Sequence, residues 1–139
     1  MIILDTNVVS EPLRRLPEQR VIEWIDAQVI ETLYLTSITV AELRFGVQIL
    51  PAGKRRDDLS ANLEQRVLPL FFGRILAFDM PVTAYYAEKM AQARASGLAV
   101  SSSDGYIAAI AAANNMAVAT RDVQPFAAMG VRVINPWEA

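Results

Sequence analysis

The sequence predicts a single α/β domain built on a largely parallel sheet, and two observations carry that expectation. Short β-branched or apolar runs alternate with longer stretches of helical period along the whole chain. Strands joined through helices imply right-handed crossovers and a sheet covered on both faces. The 139 residues also hold no repeat, low-complexity segment or interdomain linker, and that length suits one core.

The elements follow in order. Ile2–Leu4 is a short apolar run ending at Asp5 and opens the fold as a buried strand. Residues 17–27 set Val21, Ile22, Trp24 and Ile25 among charges, an amphipathic helix with Pro17 at its start. Leu33–Thr36 alternates as the second strand. Residues 39–49 form the next helix, in which Thr39-x-x-Glu42 fits a capping box. Pro51-Ala52-Gly53 breaks the chain ahead of one charged helix over residues 54–71. Residues 74–78 make the third strand, and residues 81–96 a helix stopped by Gly97. Ser101 or Ser102 caps the following helix, which runs to Asn114. Residues 117–120 are the fourth strand, 123–129 a short helix ended by Gly130, and 131–134 the fifth strand.

Composition narrows the chemistry. The chain has no cysteine and no histidine. A disulfide framework, a thiolate metal site, a cysteine nucleophile and a serine–histidine pair are therefore excluded. Any enzyme here works with carboxylates, hydroxyls, amides, Lys, Arg or Tyr, and the metals suited to such ligands are hard ones, Mg²⁺ and Mn²⁺ first. Hydrophobic residues make up 53% of the chain and mean hydropathy is +0.26. No charge-free apolar run reaches the length of a membrane helix. The excess implies a full core together with apolar surface for a partner. Met-Ile-Ile-Leu-Asp lacks the basic region and cleavage site of a signal peptide, so a cytoplasmic location is expected.

In open α/β sheets the site lies beyond the carboxyl ends of the strands, where strand order reverses. Four acids meet that description. Asp5 follows the first strand, Glu42 lies near the start of the helix after the second, Asp104 opens a helix, and Asp122 follows the fourth strand. Each also has a structural explanation as a cap or a dipole partner. Grouping all four is another matter. Two carboxylates about 5 Å apart repel by roughly 3 kcal/mol at an effective dielectric of 20. A bound divalent cation removes that repulsion and explains the grouping.

The motifs Asp5-Thr6-Asn7, Glu42-Leu43-x-x-Gly46, Asp104-Gly105-Tyr106-Ile107-Ala108-Ala109 and Thr120-Arg121-Asp122 resemble those of the PIN-domain nucleases. Within that family the chain is similar to the VapC/FitB-type toxins of bacterial toxin–antitoxin pairs, from Met1 to the Asn135-Pro136-Trp137 tail. The resemblance implies a three-layer α/β/α fold with a five-stranded, mainly parallel sheet, and RNA cleavage dependent on Mg²⁺ or Mn²⁺. It further implies a homodimer, a cognate antitoxin that blocks the site, and DNA binding indirectly through that antitoxin. Carried over to this chain, Asp5, Glu42, Asp104 and Asp122 are the catalytic, metal-binding quartet. Thr6 orients Asp5 by its hydroxyl, and Thr120 does the same near Asp122. Asn7 contacts a carboxylate or water, or else forms an Asx-turn. Gly46 reads first as letting a neighbouring element approach its helix, with contact to substrate as the alternative.

The 13 basic residues against 15 acidic ones give a net charge of −2, unusual for a protein that binds RNA. With the quartet set aside, 13 basic residues face 11 acidic ones. Eleven of the basic residues are Arg, suited to bidentate phosphate contacts. Arg44 and Arg121, beside Glu42 and Asp122, are candidates to contact RNA or the antitoxin, or to hold the acids by ion pairs. Lys54-Arg55-Arg56-Asp57-Asp58 reads first as a solvated face, with a substrate role as the alternative. Tyr85, Tyr86 and Met90 read first as core or dimer interface, with an RNA-stacking platform as the alternative, and Trp24 and Trp137 as packing residues or partner contacts. Leu68, Leu70, Phe71 and Phe72 suit an apolar groove for an antitoxin helix.

Two other readings stay open on the sequence. One is a housekeeping PIN nuclease for RNA maturation that has no antitoxin. The other is a non-catalytic acidic module like a response receiver, against which stands the placement of the two lysines, Lys54 and Lys89.

Overall fold

A computed structural model describes all residues 1–139. Five strands form one sheet: β1 (Ile2–Leu4), β2 (Leu33–Thr36), β3 (Ile75–Leu76), β4 (Ala117–Ala119) and β5 (Val133–Ile134). Every pairing is parallel and the order is β3-β2-β1-β4-β5. Seven helices connect the strands: α1 (Thr6–Ser10), α2 (Gln19–Asp26), α3 (Ser37–Gln48), α4 (Lys54–Asn62), α5 (Met80–Ala95), α6 (Ser102–Ala113) and α7 (Val123–Ala128).

The pleat divides the strands between two cores, because successive residues point to opposite faces. On one face Ile3 and Val118 pack with Val82 of α5, Ile107 and Ile110 of α6 and Phe126 of α7. On the other, Leu4, Leu33 and Leu35 pack with Val8 of α1, Val21 of α2 and Leu43 of α3. The result is the three-layer α/β/α arrangement. Trp24 and Trp137 lie partly buried against the second core, and Tyr86 and Met90 against the first.

One helix was not expected, and two local expectations change. The segment after Asp5 is a five-residue helix, α1, although Thr6-Asn7-Val8-Val9-Ser10 is poor in helix formers. Its first turn is held by the Asp5 cap, and Val8 and Val9 are buried. The single helix expected over residues 54–71 is instead α4, then a π-helical turn over Leu63–Val67, then a 3₁₀ turn over Leu68–Phe71. Pro69 has no N–H and its ring clashes with the preceding turn, so regular α geometry does not pass it. Finally, α2 starts at Gln19 rather than Pro17, and the buried Glu11 carboxylate accepts from Glu18 N at 3.3 Å just before it.

Candidate active site

From β1 the chain builds outward through β2 to β3, then returns to the other side of β1 for β4 and β5. Strand order therefore reverses between β1 and β4, which makes their carboxyl ends the place for a site. Asp5 leaves β1 at this point, and its N–H still bonds to Ala119 O of β4 at 2.9 Å.

Asp5 is 4% exposed. Its Oδ1 accepts from Thr6 N at 2.8 Å, and its Oδ2 accepts from Thr120 Oγ1 at 2.8 Å. Burial pushes its carboxyl up from 3.8 to about 6. The hydrogen bonds from Thr120 and Thr6 oppose that rise, and the charges of Asp104 and Glu42 add to it.

Thr120 and Asn7 tie the ends of the two central strands together. Besides donating to Asp5, Thr120 Oγ1 accepts from Asp122 N at 3.0 Å. Asn7 Nδ2 lies 3.3 Å from Thr120 Oγ1 and 3.5 Å from both Asp5 Oδ2 and Asp122 Oδ2. Its Oδ1 accepts from Arg121 N at 3.2 Å, so the side chain bridges across the sheet rather than closing a local Asx-turn.

Glu42 arrives from α3, and here the expected capping box gives way. The cap is Thr36, the last residue of β2, whose Oγ1 accepts from Thr39 N at 3.1 Å. The helix begins directly where the strand ends, which puts Thr39 inside it and frees Glu42 from a capping role. The Glu42 carboxylate accepts instead from Thr6 Oγ1 at 2.7 Å. Thr6 therefore holds Asp5 through its backbone N–H and Glu42 through its hydroxyl, not Asp5 through the hydroxyl. Behind it, Thr39 Oγ1 lies 3.2 Å from Thr6 Oγ1 and 3.4 Å from Thr36 Oγ1. Buried Thr36 and Thr39 extend the site by a row of hydroxyls that the motifs alone do not reveal. A Thr-x-x-Thr pattern starting on the last strand residue is the signal that points to them.

Asp104 sits in the first turn of α6, where Ser101 is the cap and its Oγ accepts from Asp104 N at 3.2 Å. Burial raises the Asp104 carboxyl, Ser101 opposes the rise, and the charges of Asp122 and Glu42 reinforce it. The neighbouring Ser103 Oγ is buried without a hydrogen-bond partner. Asp122 is exposed and precedes α7 without its carboxylate capping that helix.

No basic side chain neutralises this group. The two ion pairs of the chain are Arg14–Glu11 and Arg44–Glu64. Arg44 holds Glu64 through Nε at 2.8 Å and a second nitrogen at 3.1 Å, so it does not brace the quartet. The Arg121 guanidinium stacks over the Trp137 ring at 5.2 Å. Gly46 is exposed, and a Cβ built there meets nothing within 4 Å. It is not a point of close approach; that role belongs to Gly105, where a Cβ would lie 2.8 Å from Met90 Sδ and 3.0 Å from the Tyr86 ring.

The donor chemistry fits a hard divalent cation: carboxylate oxygens, one of them deeply buried, mutually repulsive and without a positive partner. The acids lie within electrostatic reach of one another, but no three of them converge on one point, so an ion held by several would draw their side chains together. No helix is long and apolar enough to cross a membrane.

The chain is similar to known proteins along nearly its whole length. The PIN domain family model matches residues 2–131. The chain is 60% identical to the plasmid stability protein StbB of Pseudomonas syringae pv. tomato, over the whole of both chains. It is 56% identical to the VapC ribonuclease Y4jK of Sinorhizobium fredii over 99% of each. It is 53% identical to the toxin FitB of Neisseria gonorrhoeae, again over 99% of each. Among solved structures, FitAB bound to an IR36 DNA fragment contains a chain similar at a TM-score of 0.96 and 52% identity, covering 99% of this chain and 96% of that one.

Proposed function

Since the chain belongs to the PIN-domain family, with VapC- and FitB-type relatives, we propose that it is an Mg²⁺- or Mn²⁺-dependent endoribonuclease and the toxin of a toxin–antitoxin pair. The observation that carries this reading is the gathering of Asp5, Glu42, Asp104 and Asp122 at the strand-order reversal with no basic side chain among them. Such a group costs stability unless a ligand offsets it, and a ribonuclease name among close relatives supplies the chemistry.

Asp5, Asp104 and Asp122 would hold the metal, with Glu42 as a further ligand or acting through water. When bound, the metal supplies Lewis acidity toward the phosphodiester and toward the attacking water. The protein's own contribution is order. Thr120 and Thr6 N–H fix both oxygens of Asp5, Asn7 spaces Asp5 from Asp122, and Thr6 aims Glu42 across the cleft. Burial and the neighbouring carboxylates make negative charge on Asp5 and Asp104 costly, a cost that an incoming cation would offset.

The protein partners follow from the family and from exposed apolar surface. Phe72, 88% exposed, and Ile75 border a hollow of about 940 Å³ suited to an antitoxin helix. Met80 and Tyr85 of α5 are exposed side chains that a second copy of the chain would cover. DNA binding would come indirectly through the antitoxin, as the FitAB–DNA structure suggests by analogy.

The test is RNA cleavage by the purified protein with Mg²⁺, with EDTA, and with Asp5→Asn. Cleavage is expected only in the first case, with the variant down by roughly 10³-fold, the rate equivalent of about 4 kcal/mol of lost charge stabilisation. Wild-type rates in a folded Asp5→Asn protein would overturn the assignment.

A further inference from the structure

Beside the quartet, α1, α3 and α4 enclose a groove of about 320 Å³ that the site chemistry does not use. Thr6 and Glu42 line it, so it opens directly from the acids, and its walls are Leu43, Val47, Leu59 and Leu63. Gly46 also lines it, and a glycine there leaves the space clear. Arg55 lines the groove too, and the adjoining hollow of about 470 Å³ shares Arg55 and Leu59 with it and adds Arg15 and Lys54.

These three cations are exposed and none is in an ion pair. Asp58 is the single acid lining that hollow. In a chain of net charge −2, three unpaired positive side chains at one mouth are a local feature, not an overall excess. Two neighbouring basic residues are already engaged and brace the walls: Arg14 on Glu11, and Arg56 on the Gln48 side chain at 2.6 Å.

We propose that this groove is the path of the single-stranded RNA flanking the cleaved phosphate, with Arg15, Lys54 and Arg55 binding its backbone. The proposal rests on the nuclease reading of the quartet and adds where the substrate strand runs. An apolar floor bordered by cations suits a single strand, which presents base faces and phosphates together, and a continuous opening onto Glu42 delivers that strand to the acids. The cations also answer how an acidic protein holds an anionic polymer: attraction acts over a Debye length of about 8 Å, so local charge outweighs net charge.

The experiment measures binding of 5′-fluorescein-labelled U20 RNA by anisotropy in EDTA across a KCl series. It compares wild type, the Arg15→Ala/Lys54→Ala/Arg55→Ala triple variant, and the charge-preserving Arg15→Lys/Arg55→Lys variant. Three lost phosphate contacts should lower the slope of log Kd against log[KCl] by about 2 and weaken binding roughly tenfold or more. The lysine variant should keep the wild-type slope, which separates lost charge from lost packing. An unchanged slope in the folded triple variant, or no RNA binding by the wild type, would overturn the path. So would poly-L-glutamate binding more tightly than U20 and losing that binding in the triple variant, because the groove would then serve an acidic peptide. A wild type that binds U20 through these residues yet never cleaves RNA in Mg²⁺ would instead remove the nuclease reading.

Discussion

Helices α3 and α6 each bring one acid to the site from near their N-termini, and each starts on a hydroxyl cap, Thr36 or Ser101. Beyond that start they part. Helix α6 is buried from Ile107 to Ala111 and is pressed at Gly105 against Met90 and Tyr86 of α5. Helix α3 turns Arg44, Phe45 and Gly46 to solvent and borders the groove. One wall of the site is closed and the other open. Under the proposed nuclease reading the two walls would divide the work: a rigid one to fix the acids, and an open one through which the strand would pass.

The largest effect that sharpens this contrast concerns the floor against which the closed wall stands. The Asp5 carboxyl is about 6 in the folded chain against about 3.8 unfolded, so the folded state holds the proton more tightly. Its contribution to stability is then greatest below about pH 4 and is lost as pH rises to 6, about 3 kcal/mol in all. In EDTA, urea unfolding of wild type and Asp5→Asn should therefore diverge between pH 4 and pH 7, the variant becoming the more stable by about that amount. Parallel curves would mean that Asp5 is better solvated than its burial implies, and the closed floor would lose its electrostatic character.

The four acids were legible in the sequence because each follows a strand or opens a helix. The strands Ile2–Leu4 and Leu33–Thr36 were legible as short apolar or alternating runs. What escaped was tertiary. Helix α1 exists because Asp5 caps it and the cores take Val8 and Val9, while its own residues favour extended backbone. The Thr36 cap escaped because β2 and α3 abut with no loop between them, so a register starting at Thr39 looked as good locally. Arg44 reads locally as a neighbour of Glu42, but it pairs with Glu64, 20 residues further on. Local patterns name the candidate residues; partners and caps depend on which segments the fold brings together.

The next effect tests the closed wall directly. Gly105→Ala puts a methyl 2.8 Å from Met90 Sδ and 3.0 Å from the Tyr86 ring, which packs edge-on against Phe78 and close to Tyr106. The flexible Met90 can yield, but the wedged tyrosine ring has less room. Overpacking should outweigh the gain in helix propensity and leave the variant less stable by about 1–2 kcal/mol in urea unfolding. A stabilised variant would show that α5 and α6 part easily, and that Asp104 stands on a softer support than the packing indicates.

Gly46→Ala is the matching change on the open wall and should have the opposite sign. The position lies in the last turn of α3, is exposed, and a Cβ there meets nothing within 4 Å. Removing glycine's backbone freedom in the unfolded chain should stabilise the protein by about 0.5–1 kcal/mol, read as a raised urea midpoint at unchanged slope. Gly46 lines the groove beside Glu42, so the proposed RNA path would use the space that its missing side chain leaves clear. Destabilisation instead would mean that another surface packs onto α3 at this point in solution. The open wall would then be a protein interface, and the contrast between the two helices would be one of partners rather than of access.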